Sequence, residues 1–340
     1  MAKNQCKRGV TLYSYQEEYY TGAMTLEDCV AEVASMGAEG VEVIAEEMVP
    51  NYPDPPESWV KQWHGLMAKY HTKPACLDTF VDLSQGGHRN MTLPEAVETL
   101  ATQFKLAKRM GFPAVRPSLG RDQLDPIAIV EKALPEAERT NVKIALELHA
   151  PTSLTSKGKG SRMQYIDRYM ELLSKTKATH FGFTPDMGIF ARRLPRVMLN
   201  YYLRHGAHEK TVQYIDTAFQ NGANTDEIAA EVAKMNPNGQ DQRCAAVASG
   251  YGWRGNDPKE LQQIMPYIYN IHGKFYEMTE ELTEYSIPYE EVVPVLMAGG
   301  YDGYINSEYE GQRWTQDATE TDSCEEIRRH HVMLKRILGV

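Results

Sequence analysis

Short β-rich runs alternate with amphipathic helical patterns along nearly the whole chain. The runs are RGVTLYSY (Arg8–Tyr15), VEVIAEE, ACLDTFVDL, AVRPSLG, KIALELHA, HFGFTPDMG, IYNIHGKFY and YINSEYEG. Each has a strand's length and is rich in apolar, β-branched or aromatic residues. Helical patterns lie between them. One opens at Thr25 with Asp28 three residues on, a pair that satisfies the free N–H groups of a first turn. ESWVKQWHGLMAKY follows the proline-rich loop NYPDPP, and Thr92 with Glu95 forms a capping box for the next helix. IAIVEKALPEAERT is a fourth helix, which Pro135 is expected to bend. Others are expected around Tyr165–Ser174 and Tyr289–Met297, and the last ends near Leu338.

Strands alternating with helices imply parallel strands joined by right-handed crossovers. A count of eight favours an α/β fold of the closed (β/α)8 kind, a TIM barrel, over an open sheet. No G-x-G-x-x-G follows any strand, which weakens a dinucleotide-binding reading. Length alone, 340 residues, would suggest two domains at about 150 each. Barrels are commonly larger than that, so 1–340 reads as one barrel domain. One stretch breaks the rhythm. About 80 residues separate Asp186 from the run at Ile268, where a crossover needs about 30. This long helical insert between strands six and seven, 189–267, carries the patterns LPRVMLNYYLRHG, EKTVQYIDTAFQ and TDEIAAEVAKM, then a short apolar CAAVAS run. It is expected to shape the barrel rim or a subunit contact, or simply to elaborate the sixth crossover.

Charge narrows the partners. Lys and Arg number 36 against 46 Asp and Glu, a net of −10. An acidic surface repels phosphate backbones and anionic lipid heads, so neither nucleic acid nor membrane is expected. No apolar run approaches the ~20 residues of a membrane span, and no secretory signal opens the chain. Five scattered cysteines without a C-x-x-C argue against a disulfide framework and a thiolate zinc site. A cytoplasmic protein is expected.

Barrel chemistry gathers where strands end. Strand five ends in Glu147 with His149 two residues on, strand six in Asp186, strand seven in His272 and strand eight in Glu308. Four neighbouring strands could bring these groups to one point. The oxygen-rich set Glu147, Asp186, His272 and Glu308 suits a divalent metal, Mn2+ first, with Mg2+ or Co2+ as alternatives. The cation would also offset most of the charge of three clustered carboxylates. Singly, each residue has a plainer role, a carboxylate capping the next helix or a histidine bonded at the surface. Structural roles do not require the four in succession. His149 shares a strand face with Glu147 and could move a proton or orient the ligands. Arg116 on strand four and Lys274 beside His272 could hold a substrate oxygen or pair with neighbouring carboxylates. His205 and His208 could form a metal pair or a polar helix face. Tyr13, Tyr15, Tyr19 and Tyr20 could line an aromatic-accepting pocket or simply pack.

The segments ALELHAP, FTPDMG, NIHGKFY and NSEYEG resemble those of the xylose-isomerase-like barrel superfamily, which includes sugar isomerases, ketose 3-epimerases and endonuclease IV. The resemblance covers nearly the whole chain. The opening GVTLYSYQEEYYTGAMTLEDCVAEVASMGAEGVEVIAEEMVPNYPDPP is most similar to α subunits of bacterial C-glycoside deglycosidases. The resemblance implies a metal-dependent carbon–carbon lyase acting on a 3-oxo-C-glycoside substrate by enolisation and elimination, with Glu147, Glu308 and His149 catalytic. It gives the aglycone and an anhydro-hex-enulose. It also implies a small β-rich β subunit as partner, hence a hetero-oligomer. Tyr251, Trp253, Arg254, Arg313 and Trp314, of types enriched at interface hot spots, could face that partner. A ketose or sugar-phosphate isomerase or 3-epimerase is the alternative, although the insert is larger than a simple epimerase needs. Endonuclease IV holds three zinc ions with many more ligands, which disfavours a nuclease. A non-catalytic scaffold has no need to keep three carboxylates together.

Overall fold

A computed structural model describes residues 6–119, 124–155, 157–161, 163–251, 256–316, 318 and 321–340. Eight parallel strands form the barrel: β1 (Lys7–Thr11), β2 (Gly40–Ile44), β3 (Lys73–Val81), β4 (Ala114–Leu119), β5 (Lys143–Leu148), β6 (Phe181–Pro185), β7 (Ile271–Phe275) and β8 (Tyr304–Tyr309). Their hydrogen-bonded order is β6-β5-β4-β3-β2-β1-β8-β7. Isolated parallel bridges, Phe183 to Ile268 and Asp186 to His272, join the two ends into a ring. Gly182 sits at that seam, where a Cβ would overlap the Tyr267 carbonyl, so the close approach requires glycine there.

Local chemistry explains the element ends. The first run is a strand only to Thr11; the Thr11 hydroxyl accepts the Tyr13 N–H at 3.4 Å and a 3-10 turn, Leu12–Tyr15, follows. Both capping boxes form, with the Thr25 N–H and the Thr92 N–H each donating to its acid three residues on at 2.8 Å. The helix Pro126–Thr140 runs on through Pro135. No helix among the described residues is long and apolar enough to cross a membrane.

Between β6 and β7 the chain folds helices Arg196–Arg204, Glu209–Gln220, Thr225–Lys234 and Gly239–Ala248, the last of which takes up the CAAVA residues. Side chains tie this excursion to loops that follow other strands. The Asn256 amide donates to the Thr152 carbonyl at 2.8 Å, and Asp226 accepts from the Ser161 backbone and hydroxyl at 2.8 and 2.7 Å. Arg196 forks onto Glu277, and Arg204 donates to the Trp314 carbonyl at 2.8 Å. These loops follow β5, β7 and β8, so the excursion lies on the C-terminal rim. Tyr251, expected to face a partner, is instead buried against Tyr276 with ring centroids 5.3 Å apart. Trp314 packs on Tyr201 at 5.5 Å, and Arg313 donates to the Tyr13 hydroxyl. Trp253 and Arg254 lie outside the described residues.

Candidate active site

The barrel interior is unusually charged. Alternation along β7 puts residues 270, 272 and 274 on one face, and along β8 residues 306 and 308. Asn270, His272, Lys274, Asn306 and Glu308 are all buried, as are Glu42 on β2 and Asp78 on β3. Buried charges persist only when paired or bound to a metal.

His272 is the hub. It lies in the second position of β7 rather than at the strand's end, and the bridge to Asp186 shows that it is level with the end of β6. Barrel strands are staggered, so groups at one height come from different positions along their strands. One ring nitrogen, Nδ1, stands 2.9 Å from Glu147 Oε1 and 3.5 Å from Glu308 Oε1. These three residues offer ligand atoms that lie within 4.8 Å of one another. The other nitrogen, Nε2, stands 2.6 Å from Glu42 Oε1.

A second trio, Glu42, Asp78 and His272, also meets that spacing. Its carboxylates are already satisfied. Glu42 Oε2 accepts from Asn270 at 2.7 Å and from Asn306 at 2.6 Å. Asp78 takes a bidentate pair from Arg116, at 2.8 and 2.9 Å. In contrast, Glu308 Oε2 is buried with no hydrogen-bond partner, and its nearest cation, Lys274 Nζ, stands at 3.6 Å. An orphaned buried carboxylate oxygen beside an imidazole and a second carboxylate fits a hard divalent cation. The Glu147–His272–Glu308 group is therefore the better metal cage.

The surroundings set the charge states. Burial alone would raise the Glu147 carboxyl, but the Arg116 guanidinium and the His272 ring outweigh it and hold it well below its usual range. Burial pushes the Glu308 carboxyl up to about 7, against the pull of His272 and Lys274. Burial would lower Lys274, yet Asp186, Glu308 and Glu310 hold it well above the ordinary lysine value.

Asp186 is not part of the tight trio. Its Oδ1 accepts the Gly188 N–H at 2.7 Å, capping the 3-10 turn Met187–Phe190, and its Oδ2 accepts from Lys274 at 2.7 Å. Arg116 and Lys274 thus both pair with carboxylates, one of the two roles open to them from sequence. Arg116 also borders the site, with Nη1 3.5 Å from Glu147 Oε2. His149 sits at the mouth with its side chain 41% exposed and Nε2 3.7 Å from Asp186 Oδ2. Its Nδ1 is 2.6 Å from the Ala150 carbonyl, which can only accept. That fixes a proton on Nδ1, so that in the neutral ring the lone pair is on Nε2, the nitrogen turned towards Asp186. His205 and His208 bond to the Tyr201 carbonyl and to Asp241 instead, at 2.8 and 2.6 Å.

A family profile described as a xylose isomerase-like TIM barrel matches residues 30–234. The chain belongs to that family. Within it, the chain is 31% identical to a C-glycoside deglycosidase alpha subunit of Arthrobacter globiformis, over 90% of this chain and 84% of that one. It is 28% identical to the 3'-dehydrocarminate deglycosidase alpha subunit of a Microbacterium species, over 97% and 95%. Among solved structures it is similar to a sugar phosphate isomerase/epimerase of Parabacteroides distasonis, with a TM-score of 0.58, 12% identity, and 98% and 95% of the two chains covered. The last likeness concerns the fold alone.

Sequence reasoning missed Glu42, Asp78 and Glu310. All three belong to the same buried charged network, since Glu42 holds His272, Asp78 holds Arg116, and Glu310 Oε1 lies 3.5 Å from Lys274 Nζ. The signal that could have found them is a lone acid inside a strand's apolar run, as in VEV and CLDTF.

Proposed function

We propose that this chain is the catalytic subunit of a metal-dependent carbon–carbon lyase that cleaves 3-oxo-C-glycosides by enolisation and elimination. The observation that carries this reading is the convergence of Glu147, His272 and Glu308, the last with a carboxylate oxygen that lacks a hydrogen-bond partner, beside the oriented His149. Relatives named as C-glycoside deglycosidases support the choice of bond. Glu147, His272 and Glu308 would hold the cation, with Asp186 as the proposed fourth ligand in place of its contact to Lys274; the set suits Mn2+, with Mg2+ or Co2+ as substitutes. A cation held there supplies Lewis acidity to the ketone oxygen of the sugar.

The chain's own groups do the rest. His149 Nε2 takes the proton from C2, next to the ketone. The electron pair left behind forms the C1–C2 double bond as the bond from C1 to the aglycone breaks. The departing ring carbon, made basic by a phenol ortho or para to it, takes a proton back from His149. Products are the aglycone and an anhydro-hex-enulose, with no other reactant consumed. Arg116, which pairs with Asp78 and borders the smaller cavity beside Glu147, is the proposed holder of a sugar oxygen. The relatives' designation as alpha subunits supports a second chain completing a hetero-oligomer, and the proposed partner is a small β-rich subunit.

The test is product analysis. Purified Mn2+-loaded protein, with and without its candidate small subunit, is incubated with 3-oxo-C-glycosides and separately with free ketoses. Free aglycone supports the lyase. Epimerised or isomerised ketose with the C-glycoside intact would make the protein an isomerase instead.

A further inference from the structure

Two cavities lie side by side between the loops that follow β4 and β5. The smaller, about 100 Å³, has Arg116, Glu147 and His149 in its wall. The larger, about 470 Å³, is bounded by Ile127, Met163 and Tyr165. Pro126, Gln164 and Tyr169 belong to both walls, so the two are divided only by a shared partition.

The larger cavity sets the apolar and aromatic faces of Ile127, Met163, Tyr165 and Tyr169 beside a charged edge of Asp125, Asp167 and Arg168, and its walls are held in place. Tyr165 is 42% exposed, yet its hydroxyl donates to the Gly158 carbonyl at 3.0 Å, which fixes the ring against the opening. The residues Gln164 and Tyr165 form a two-residue parallel ladder with Thr152 and Ser153, immediately after His149. One loop therefore carries the proposed base out of β5 and returns as the cavity wall. On the other side, Arg168 forks onto Asp125 at 3.2 and 2.6 Å, clamping together the starts of helices Pro126–Thr140 and Asp167–Thr176. Tyr169 packs on Phe181 and Phe183 of β6 at 6.1 and 6.3 Å, anchoring the partition on the barrel wall.

We infer that the larger cavity is a binding site for a phenolic aromatic ring, that of the substrate's aglycone. This rests on the C-glycoside reading above. A space of about 100 Å³ falls short of the ~300 Å³ at which small-molecule pockets begin, while its neighbour lies within their range. Flat aromatic ligands are held by fixed aromatic and aliphatic faces, which Tyr165, Ile127 and Met163 supply. A substrate spanning the partition has its sugar beside Glu147 and His149 and its ring beside Tyr165. The bond to be broken then lies within reach of the proposed base.

The probe is naringenin, a free phenolic flavanone, whose binding to the Mn2+-loaded full chain is measured by equilibrium dialysis. Wild type is compared with Tyr165→Ala, an exposed position that leaves the fold intact, and with Ile127→Trp, which fills the space. Wild type binds. Tyr165→Ala weakens binding several-fold, about the worth of one aromatic contact. Ile127→Trp removes binding while bound Mn2+ and melting temperature stay unchanged. No binding by wild type, or equal binding by all three, overturns the site. Aglycone release from a 3-oxo-C-glycoside is scored in the same proteins, each supplied with the candidate small subunit. Release by wild type together with equal naringenin binding in all three overturns the cavity assignment and keeps the lyase. Variant-sensitive naringenin binding in a protein that releases no aglycone supports the aromatic site and defeats only the reaction.

Discussion

Glu42 and His272 form a fully buried hydrogen-bonded pair, with His272 Nε2 2.6 Å from Glu42 Oε1. Burial would raise the Glu42 carboxyl, but His272, with smaller help from Asp78 and Asn270, holds it below the usual range, so it stays ionised and can only accept. The proton of that bond is therefore on Nε2. When the ring is neutral, its lone pair is on Nδ1, the nitrogen facing Glu147 and Glu308. A carboxylate behind a metal-binding histidine fixes its tautomer and raises its basicity.

Glu42→Gln keeps the volume and removes the charge. The expected outcome is a loss of Mn2+ affinity of about 10–100-fold, read by competition against a chromophoric chelator. Unchanged affinity would remove Glu42 from the metal's support.

His149 is held by one hydrogen bond to the Ala150 carbonyl and stands apart from the Glu147–His272–Glu308 trio. His149→Ala is expected to bind metal normally and to lose turnover by ~10²–10⁴-fold, the usual worth of a general acid–base group. Metal content and aglycone release measured on one preparation check this. Loss of metal along with turnover would make His149 a support of the ligands.

Arg116 neutralises the fully buried Asp78 through a bidentate pair. Arg116→Met leaves that carboxylate buried and unpaired, at an expected loss of about 3–5 kcal/mol of stability in urea unfolding. A variant with wild-type stability but a raised KM would show Arg116 acting on substrate and not on Asp78.

Much of this was legible in the sequence. The eight β runs and the acids and histidine near their ends are local patterns, and side-chain period plus barrel topology suffices to place Glu147, Asp186, His272 and Glu308 on one face of the barrel. The capping boxes at Thr25 and Thr92 are local too. What was not legible depends on contacts between distant strands. Nothing near Lys274 in sequence says that Asp186, 88 residues away, accepts its hydrogen bond. Glu42 meets His272 across 230 residues, and in sequence it is one acid inside an apolar run. The burial of Tyr251 depends on Tyr276, whose ring packs against it from the end of β7.

His330 is buried, stacked on Phe275 at 4.2 Å, and bonded through Nδ1 to the Ser307 hydroxyl at 2.8 Å. Burial drives its pKa down to about 3 from the ordinary 6.5. A folded pKa below the unfolded one gives stability that is present above 6.5 and is lost as pH falls towards 3. Over that window the unfolded chain binds a proton that the folded one refuses. His330→Phe keeps the stack and removes the titration. Its unfolding free energy should fall less steeply between pH 6.5 and 4 than the wild type's, measured by urea titration at each pH. Parallel slopes would assign the acid sensitivity to other groups.

The fate of the C2 proton tests the central claim most directly. A 3-oxo-C-glycoside deuterated at C2 is incubated with the Mn2+-loaded protein and its small subunit, and the products are examined by mass spectrometry. Enolisation followed by elimination predicts that aglycone appears, that its release is slowed by the deuterium, and that the sugar product carries none. An intact glycoside that has exchanged its deuterium for solvent hydrogen, with no aglycone formed, would contradict the account.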